Sequence, residues 1–193
     1  EDKMKLIELC LTMAYDAKVN YMDVLGSVKY WDILIYNELR KKNIVIPQKI
    51  QREKSDKFEG AYVKDPIVGL HKWVMSFDLN SLYPHLIMQY NISPETLVAD
   101  KAVKNMSVEK MLNKEVDTSI LKDATMTPNG ALFKTTQKGF LPELMQKMYD
   151  DRVKFKQLMI EAQKDYEKTK DPKLLRDISK FNNIQMAKKI SLN

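Results

Sequence analysis

LPELMQKMYDDRVKFKQLMIEAQKDYEKTKDPKLLRDISKFNNIQMAKKISLN, residues 141–193, carries the strongest structural signal in this chain. Leu141, Leu144, Met145, Met148, Phe155, Leu158, Met159 and Ala162 recur at three- and four-residue intervals and trace one face of an α-helix. Asp171-Pro172 interrupts that pattern, because a proline ring locks φ and lacks the N–H an interior helical residue donates. A second face then follows in Leu174, Leu175, Ile178, Phe181, Ile184 and Ile190. Two long apolar stripes joined by a short polar turn predict an antiparallel helical hairpin. Its 12 basic and 8 acidic side chains leave it positively charged.

Outward from the hairpin the signals are shorter. Residues 1–49 read as helical: Leu6, Ile7, Leu9, Cys10, Met13 and Ala14 share one face, and Trp31, Ile35 and Leu39 line a second helix over Val28–Lys42. Residues 48–59 are polar and aperiodic, as a linker is. Gly60–Pro66 suggests a short strand and turn, and Lys72–Leu79, mostly apolar and bounded by charges, reads as a buried strand. A short helix is expected over Ser81–Tyr90, stopped by Asn91–Pro94, and a weaker one over Val108–Lys114. Pro128-Asn129-Gly130 marks a hairpin turn, since Asn-Gly tolerates the positive φ a tight turn requires. The expected class is a helix-rich α+β fold with part of a β-sheet and one antiparallel two-helix hairpin.

Composition narrows the function classes. The chain has 193 residues, 44% apolar and 30% charged, enough apolar surface for a real core and too much for dominant disorder. Five glycines, where about 7% is usual, agree with a helical chain of few tight turns. No run of roughly 18 uncharged apolar residues is present to span a membrane. Cys10, the sole cysteine, cannot form an internal disulfide, which favours a reducing compartment. With only His71 and His85 beside it, a structural zinc site is not expected. The net charge of +6 permits nucleic acid or nucleotide as a partner without requiring either. The chain opens on Glu1 without a signal-peptide pattern and runs helically to its last residue, so it reads as a piece of a longer chain.

Three groups of residues could carry chemistry. Asp78, at the end of the expected strand, suits a hard divalent cation such as Mg²⁺, although an aspartate there serves more often as a helix cap or turn residue. The amides of Ser81, Leu82 and Tyr83 would open the following helix and could donate to phosphate oxygens. Arg152 and Lys156 lie four residues apart on one helix face, and Lys189 and Asn193 repeat the spacing on the next helix, with Gln185 one turn earlier. Packed antiparallel, these faces could line a groove that grips a triphosphate, although any single pair of this kind is more often an ordinary solvated lysine-rich surface. Tyr83-Pro84 is either a core tyrosine beside a helix-start proline or part of a site. His71 and His85 read as structural, Lys101, Lys104, Lys110 and Lys114 as a solvated face, and the methionines as core.

Asp78-Leu79-Asn80-Ser81-Leu82-Tyr83-Pro84 resembles the A motif of family B DNA polymerases, D-x-x-S-L-Y-P. Asn91-Ile92-Ser93-Pro94-Glu95-Thr96 is similar to the segment that follows it in the T-even-like bacteriophage branch. Phe58-Glu59-Gly60-Ala61 resembles the Tyr-x-Gly-Gly/Ala element between exonuclease and polymerase regions, and Gly139-Phe140-Leu141-Pro142 the start of the fingers. Lys189-Ile190-Ser191-Leu192-Asn193 looks like the opening of the B motif, K-x-x-x-N-S-x-Y-G. These elements stand in the family's order over nearly the whole chain.

The resemblance implies residues 1–49 as the helical end of an exonuclease and N-terminal region, 50–140 as part of the palm, and 141–193 as the fingers. It implies Asp78 as one of two metal-binding carboxylates, with the Leu79 carbonyl also reaching a metal and two Mg²⁺ ions in the complete enzyme. Ser81, Leu82 and Tyr83 would meet the β- and γ-phosphates, the Tyr83 ring would exclude a 2′-hydroxyl, and Arg152, Lys156, Lys189 and Asn193 would hold the triphosphate. Gly60 would let a backbone approach template DNA. Primer–template DNA and deoxynucleoside triphosphates are then the substrates. Further partners would be the remaining polymerase sequence or a complementary split subunit, and a sliding clamp reached through sequence outside this chain. The setting is a host-cell cytoplasm, away from any membrane.

Departures from the family pattern matter too. The second carboxylate belongs to a motif beyond the B motif, so the isolated chain is expected to be inactive. Proofreading is expected to lie elsewhere, since Tyr15-Asp16 lacks the exonuclease spacing. His85 stands where a small residue is usual, Phe58 replaces a tyrosine, and the stretch between the hairpin helices is short for the phage branch. Two competing readings remain: a non-catalytic basic helical module that binds nucleic acid, and a metal-dependent phosphohydrolase. The latter would want an acid where Asn80 stands.

Overall fold

Helix α5, Phe140–Thr169, and helix α6, Pro172–Leu192, form the hairpin the periodicity implies. The structure is a computed structural model and describes residues 6–46, 48, 63–100, 106–117, 119 and 121–192. Most of the expected linker 48–59, the Phe58–Ala61 element with Gly60, Lys101, Lys104 and Asn193 lie outside the described residues.

The turn between the two helices is built from local chemistry. Lys170 takes the left-handed conformation at φ 57° and returns its N–H to the Tyr166 carbonyl. The Asp171 carboxylate then accepts the Lys173 N–H at 2.9 Å, an N-cap placed immediately before a first-turn proline. Phe155 packs on Phe181 with ring centroids 6.2 Å apart, while Asp151 pairs with Lys188, so advancing along one helix retreats along the other.

Helices α1, Leu6–Ala17, and α2, Ser27–Lys41, clasp the base of this hairpin, linked by a 3₁₀ turn at Tyr21–Leu25. The core lies there: Met13, Ala17, Val24, Tyr30 and Leu34 meet Leu144, Met145, Met148, Ala187 and Leu192. Leu6 and Ile7, expected on the inner face of α1, are exposed because the contact with α6 is made by the later turns. In α6 the expected stripe also differs. Leu175 and Ile190 are exposed, whereas Gln185, Ala187, Lys188, Ser191 and Leu192 are buried. The base of α6 is surrounded by α1, α2 and α5, so its inward direction is set by three neighbours, and polar groups go inside where they find partners.

One such partner pair has a pH consequence. The Tyr30 hydroxyl and Ser191 Oγ lie 2.8 Å apart. Burial pushes the Tyr30 phenol above its ordinary 10.0, with Asp16 adding to the rise and Ser191 and Lys188 opposing it. A raised acid favours its neutral form in the folded state, so this stabilisation is fully present below about pH 10 and is lost as pH rises through the folded value. Urea unfolding from about pH 8 to 11 should show stability falling at the alkaline end, and Tyr30→Phe should make that fall shallower.

Between α2 and the hairpin lie α3, Leu82–Gln89, and α4, Val108–Leu112, with β1, Leu97–Ala99, β2, Ala124–Met126, and β3, Leu132–Lys134. The strands form an antiparallel sheet in the order β1-β3-β2. The β2–β3 turn is the expected one: Gly130 takes φ 83°, its N–H bonds the Thr127 carbonyl, and Asn129 Oδ1 accepts the Ala131 N–H.

Lys72–Leu79 is not a strand. It is irregular and exposed, with Trp73 97% and Phe77 85% accessible. Residues 63–66 likewise form no strand. A run apolar on both faces needs a hydrogen-bonded neighbour and a covering layer, and the sheet among the described residues pairs only β1, β2 and β3. Asp78 therefore sits in exposed irregular backbone rather than at a strand end.

The segment after α3 anchors α5. Asn91, at φ 54°, donates through Nδ2 to the carbonyls of Lys134 and Gln137 and accepts the Gly139 N–H through Oδ1. Glu95 accepts the Phe140 N–H at 2.6 Å, and Ser93 Oγ donates to the same carboxylate. Amides at the start of α5 that have no partner within the helix are thus capped from Asn91–Glu95, with a carboxylate at the positive end of the helix dipole.

Candidate functional site

Ser81 turns the chain into α3 through a left-handed conformation, φ 51° and ψ 49°, uncommon for a residue with a Cβ. His85, one helical turn later, holds that corner: its backbone N–H and its ring Nδ1 both reach the Ser81 carbonyl, the ring at 2.8 Å. The ring also packs edge-on against Tyr149 of α5, centroids 4.7 Å apart. Arg152, on the same helix, donates from Nη1 to Ser81 Oγ at 2.9 Å. The start of α3 is thereby pinned to the middle of α5.

A cleft of about 720 Å³ opens at this junction, lined by residues 77–83 together with Arg152 of α5 and Lys189 of α6. The geometry brings together Asp78, Leu79, Ser81, Leu82, Tyr83, Arg152 and Lys189. It does not bring in Lys156, which is exposed one turn farther along α5, outside the lining. Gln185 is buried and bonded to Asn182. Gly60 and Asn193 lie outside the described residues. Phe77 and Asn80 also line the cleft although the motif reading assigned them nothing; adjacency to Asp78 was the available signal. His85, expected to be structural, is so, and what it holds is the Ser81 corner, four residues before it along the chain.

The chemistry of the cleft follows from its charges. Two cations from different helices face the opening turn of α3, whose first amides have no carbonyl one turn earlier inside the helix. Such an arrangement accepts a polyanion. Asp78 is exposed, and its carboxylate makes no hydrogen bond or ion pair among the described residues. A single free carboxylate beside two cations and the first amides of a helix is a donor of the kind a hard divalent cation such as Mg²⁺ takes, with water completing its coordination. No group of three or more His, Cys, Asp or Glu side chains within metal reach exists among the described residues, so a cage made wholly of protein ligands is not what they build. No helix among the described residues is long and apolar enough to cross a membrane.

Residues 26–193 match the sequence model of the family described as DNA polymerase family B. The DNA-directed DNA polymerase of Escherichia phage RB69 is 35% identical over 171 residues, covering 88% of this chain and 18% of the phage protein. That of Enterobacteria phage T4 is 35% identical over 161 residues, 82% of this chain and 17% of the relative. The DNA polymerase delta catalytic subunit of Arabidopsis thaliana is 30% identical over 158 residues, 80% of this chain and 12% of the relative. The chain thus spans less than a fifth of the length of these curated relatives. The family match runs from the start of α2 to the end of the chain and takes in every described residue of the cleft, and on that ground the chain belongs to family B of the DNA polymerases.

Proposed function

We propose that this chain serves template-directed DNA synthesis, its cleft holding the triphosphate of an incoming deoxynucleotide while a primer 3′-hydroxyl attacks the α-phosphate. The observation that carries the reading is the convergence of Arg152 and Lys189 on the turn that presents Asp78 and the first amides of α3. In this reading α5 and α6 are the fingers, residues 50–140 contribute part of the palm, and residues 1–49 belong to the end of the exonuclease and N-terminal region.

Arg152 and Lys189 neutralise and orient the phosphates through charge-assisted hydrogen bonds, and the amides of Ser81, Leu82 and Tyr83 add donors of fixed direction. Lys156 extends the positive face of α5 beyond the cleft. The Tyr83 ring, 68% exposed at the rim, lies under the sugar and leaves no room for a 2′-hydroxyl, so deoxynucleotides are selected by exclusion. Asp78, helped by the Leu79 carbonyl, would hold Mg²⁺, and a divalent ion bound there would supply Lewis-acid charge neutralisation to the phosphoryl transfer. A second carboxylate is supplied by sequence outside the described residues, on this chain or on a complementary one. Asn193 beside the triphosphate and Gly60 against template DNA complete the assignment.

Primer extension tests it, using the chain together with the polymerase sequence its relatives carry around this segment. Arg152→Ala and Lys189→Ala should each raise the deoxynucleotide KM about tenfold or more, the worth of one charge-assisted hydrogen bond, with a smaller change in kcat. An assembled mixture that extends no primer overturns the proposal. So does a loss that follows only total charge and salt, the behaviour of a basic module that binds nucleic acid without catalysis.

A further inference from the structure

Lys188 is buried at 9% accessibility, an unusual place for a lysine, and it is held by two carboxylates: Asp16 of α1 at 2.7 Å and Asp151 of α5 at 3.5 Å. Each hairpin partner in this cluster immediately neighbours a cleft cation, for Asp151 precedes Arg152 and Lys188 precedes Lys189. Consecutive residues on an α-helix point about 100° apart. Fixing Asp151 and Lys188 toward each other therefore fixes the directions in which Arg152 and Lys189 leave their helices. Asp16 ties the cluster to α1, and the Tyr30–Ser191 hydrogen bond clamps the same turn of α6 to α2.

We infer that Lys188 is a positioning residue for the cleft: its buried ion pairs with Asp16 and Asp151 lock the rotation of α6 against α5 so that Arg152 and Lys189 converge on one triphosphate. The inference rests on the cleft being a triphosphate site. Removing the Lys188 charge does two things at once. It releases the phase of α6, and it leaves the Asp16 and Asp151 carboxylates without the cation that neutralises them. A pocket of about 150 Å³ borders Lys188, Asp16 and Asp151, so a guanidinium fits and can bridge both acids with its fork.

Calorimetric titration of the full chain with inorganic tripolyphosphate is the test, with helix content followed by circular dichroism. Lys188→Met should weaken binding about tenfold, whereas Lys188→Arg should stay within about threefold of the unmodified chain. Lys147→Met deletes an exposed charge on the same helix as Asp151 and should change binding less than about twofold. Should Lys188→Met fail to fold, Asp151→Asn decides, since it keeps the Asp16 pair and is expected to weaken binding roughly threefold. Unchanged binding in the decisive variant, an equal loss in Lys147→Met, or no binding by the unmodified chain overturns the inference. Primer extension separates this from the polymerase reading. Extension whose deoxynucleotide KM ignores Lys188→Met sinks only the positioning role. Tripolyphosphate binding that depends on Lys188, without any extension, sinks only the polymerase reading.

Discussion

Asp78→Ala is expected to lower primer extension about 10³-fold or more while primer–template affinity stays within about twofold. The asymmetry follows from where the charges are. Affinity for DNA comes chiefly from cations that displace counterions from phosphates, and the chain carries a net +6, to which one rim carboxylate contributes little. Catalysis by a bound divalent ion instead needs a fixed anionic ligand at the reacting atoms, and several kcal/mol of barrier lost corresponds to roughly three decades in rate. Asp78 is the only carboxylate among the described residues that line the cleft, so none of the others there replaces it. Single-turnover extension and binding measured at one salt concentration decide the matter. Extension within about tenfold of the unmodified protein would remove the functional claim, because rate would then be independent of the proposed metal ligand.

Gly139→Ala should cost about 2–3 kcal/mol and lower the melting temperature by roughly 5–10 °C. The backbone of Gly139 is ordinary, at φ −70°, so the argument is wholly steric. An added Cβ would sit 2.5 Å from Ser93 Cβ, 3.1 Å from its Oγ and 3.3 Å from Pro142 Cδ. Ser93 cannot withdraw, being 2% accessible and bonded to Glu95, which in turn caps α5. The displacement would disturb the Asn91–Gly139 hydrogen bond and tilt the start of α5, and with it Arg152 against Ser81. Gly26→Ala is the matched comparison: its Cβ would meet nothing nearer than 3.8 Å, and the change should stay within about 0.5 kcal/mol. Equal losses at the two glycines, read by thermal or urea unfolding, would show that the Ser93 contact does not constrain α5.

Much of this protein was determined by its sequence alone. The α5–α6 hairpin, α1 and α2, the short α3 after Ser81 and the Asn129-Gly130 turn all rest on periodicity, caps and turn residues acting within a few positions. The ordered motifs from Asp78 to Lys189 likewise pointed to the residues that meet in the cleft. Only the tertiary structure decided the rest. The apolar run 72–79 is exposed because a strand needs a neighbour, and no local pattern supplies one. Lys188 and Ser191 are buried in place of Ile190 because their partners, Asp16 and Tyr30, lie far away along the chain. Lys156 falls outside the cleft although its spacing from Arg152 is right, since spacing orders residues along one helix but does not say where a second helix ends its contact. Helical repeat and turn chemistry are short-range and survive in a linear reading. Polar burial, strand pairing and the meeting of charges from separate helices are long-range, and exist only once the chain has packed.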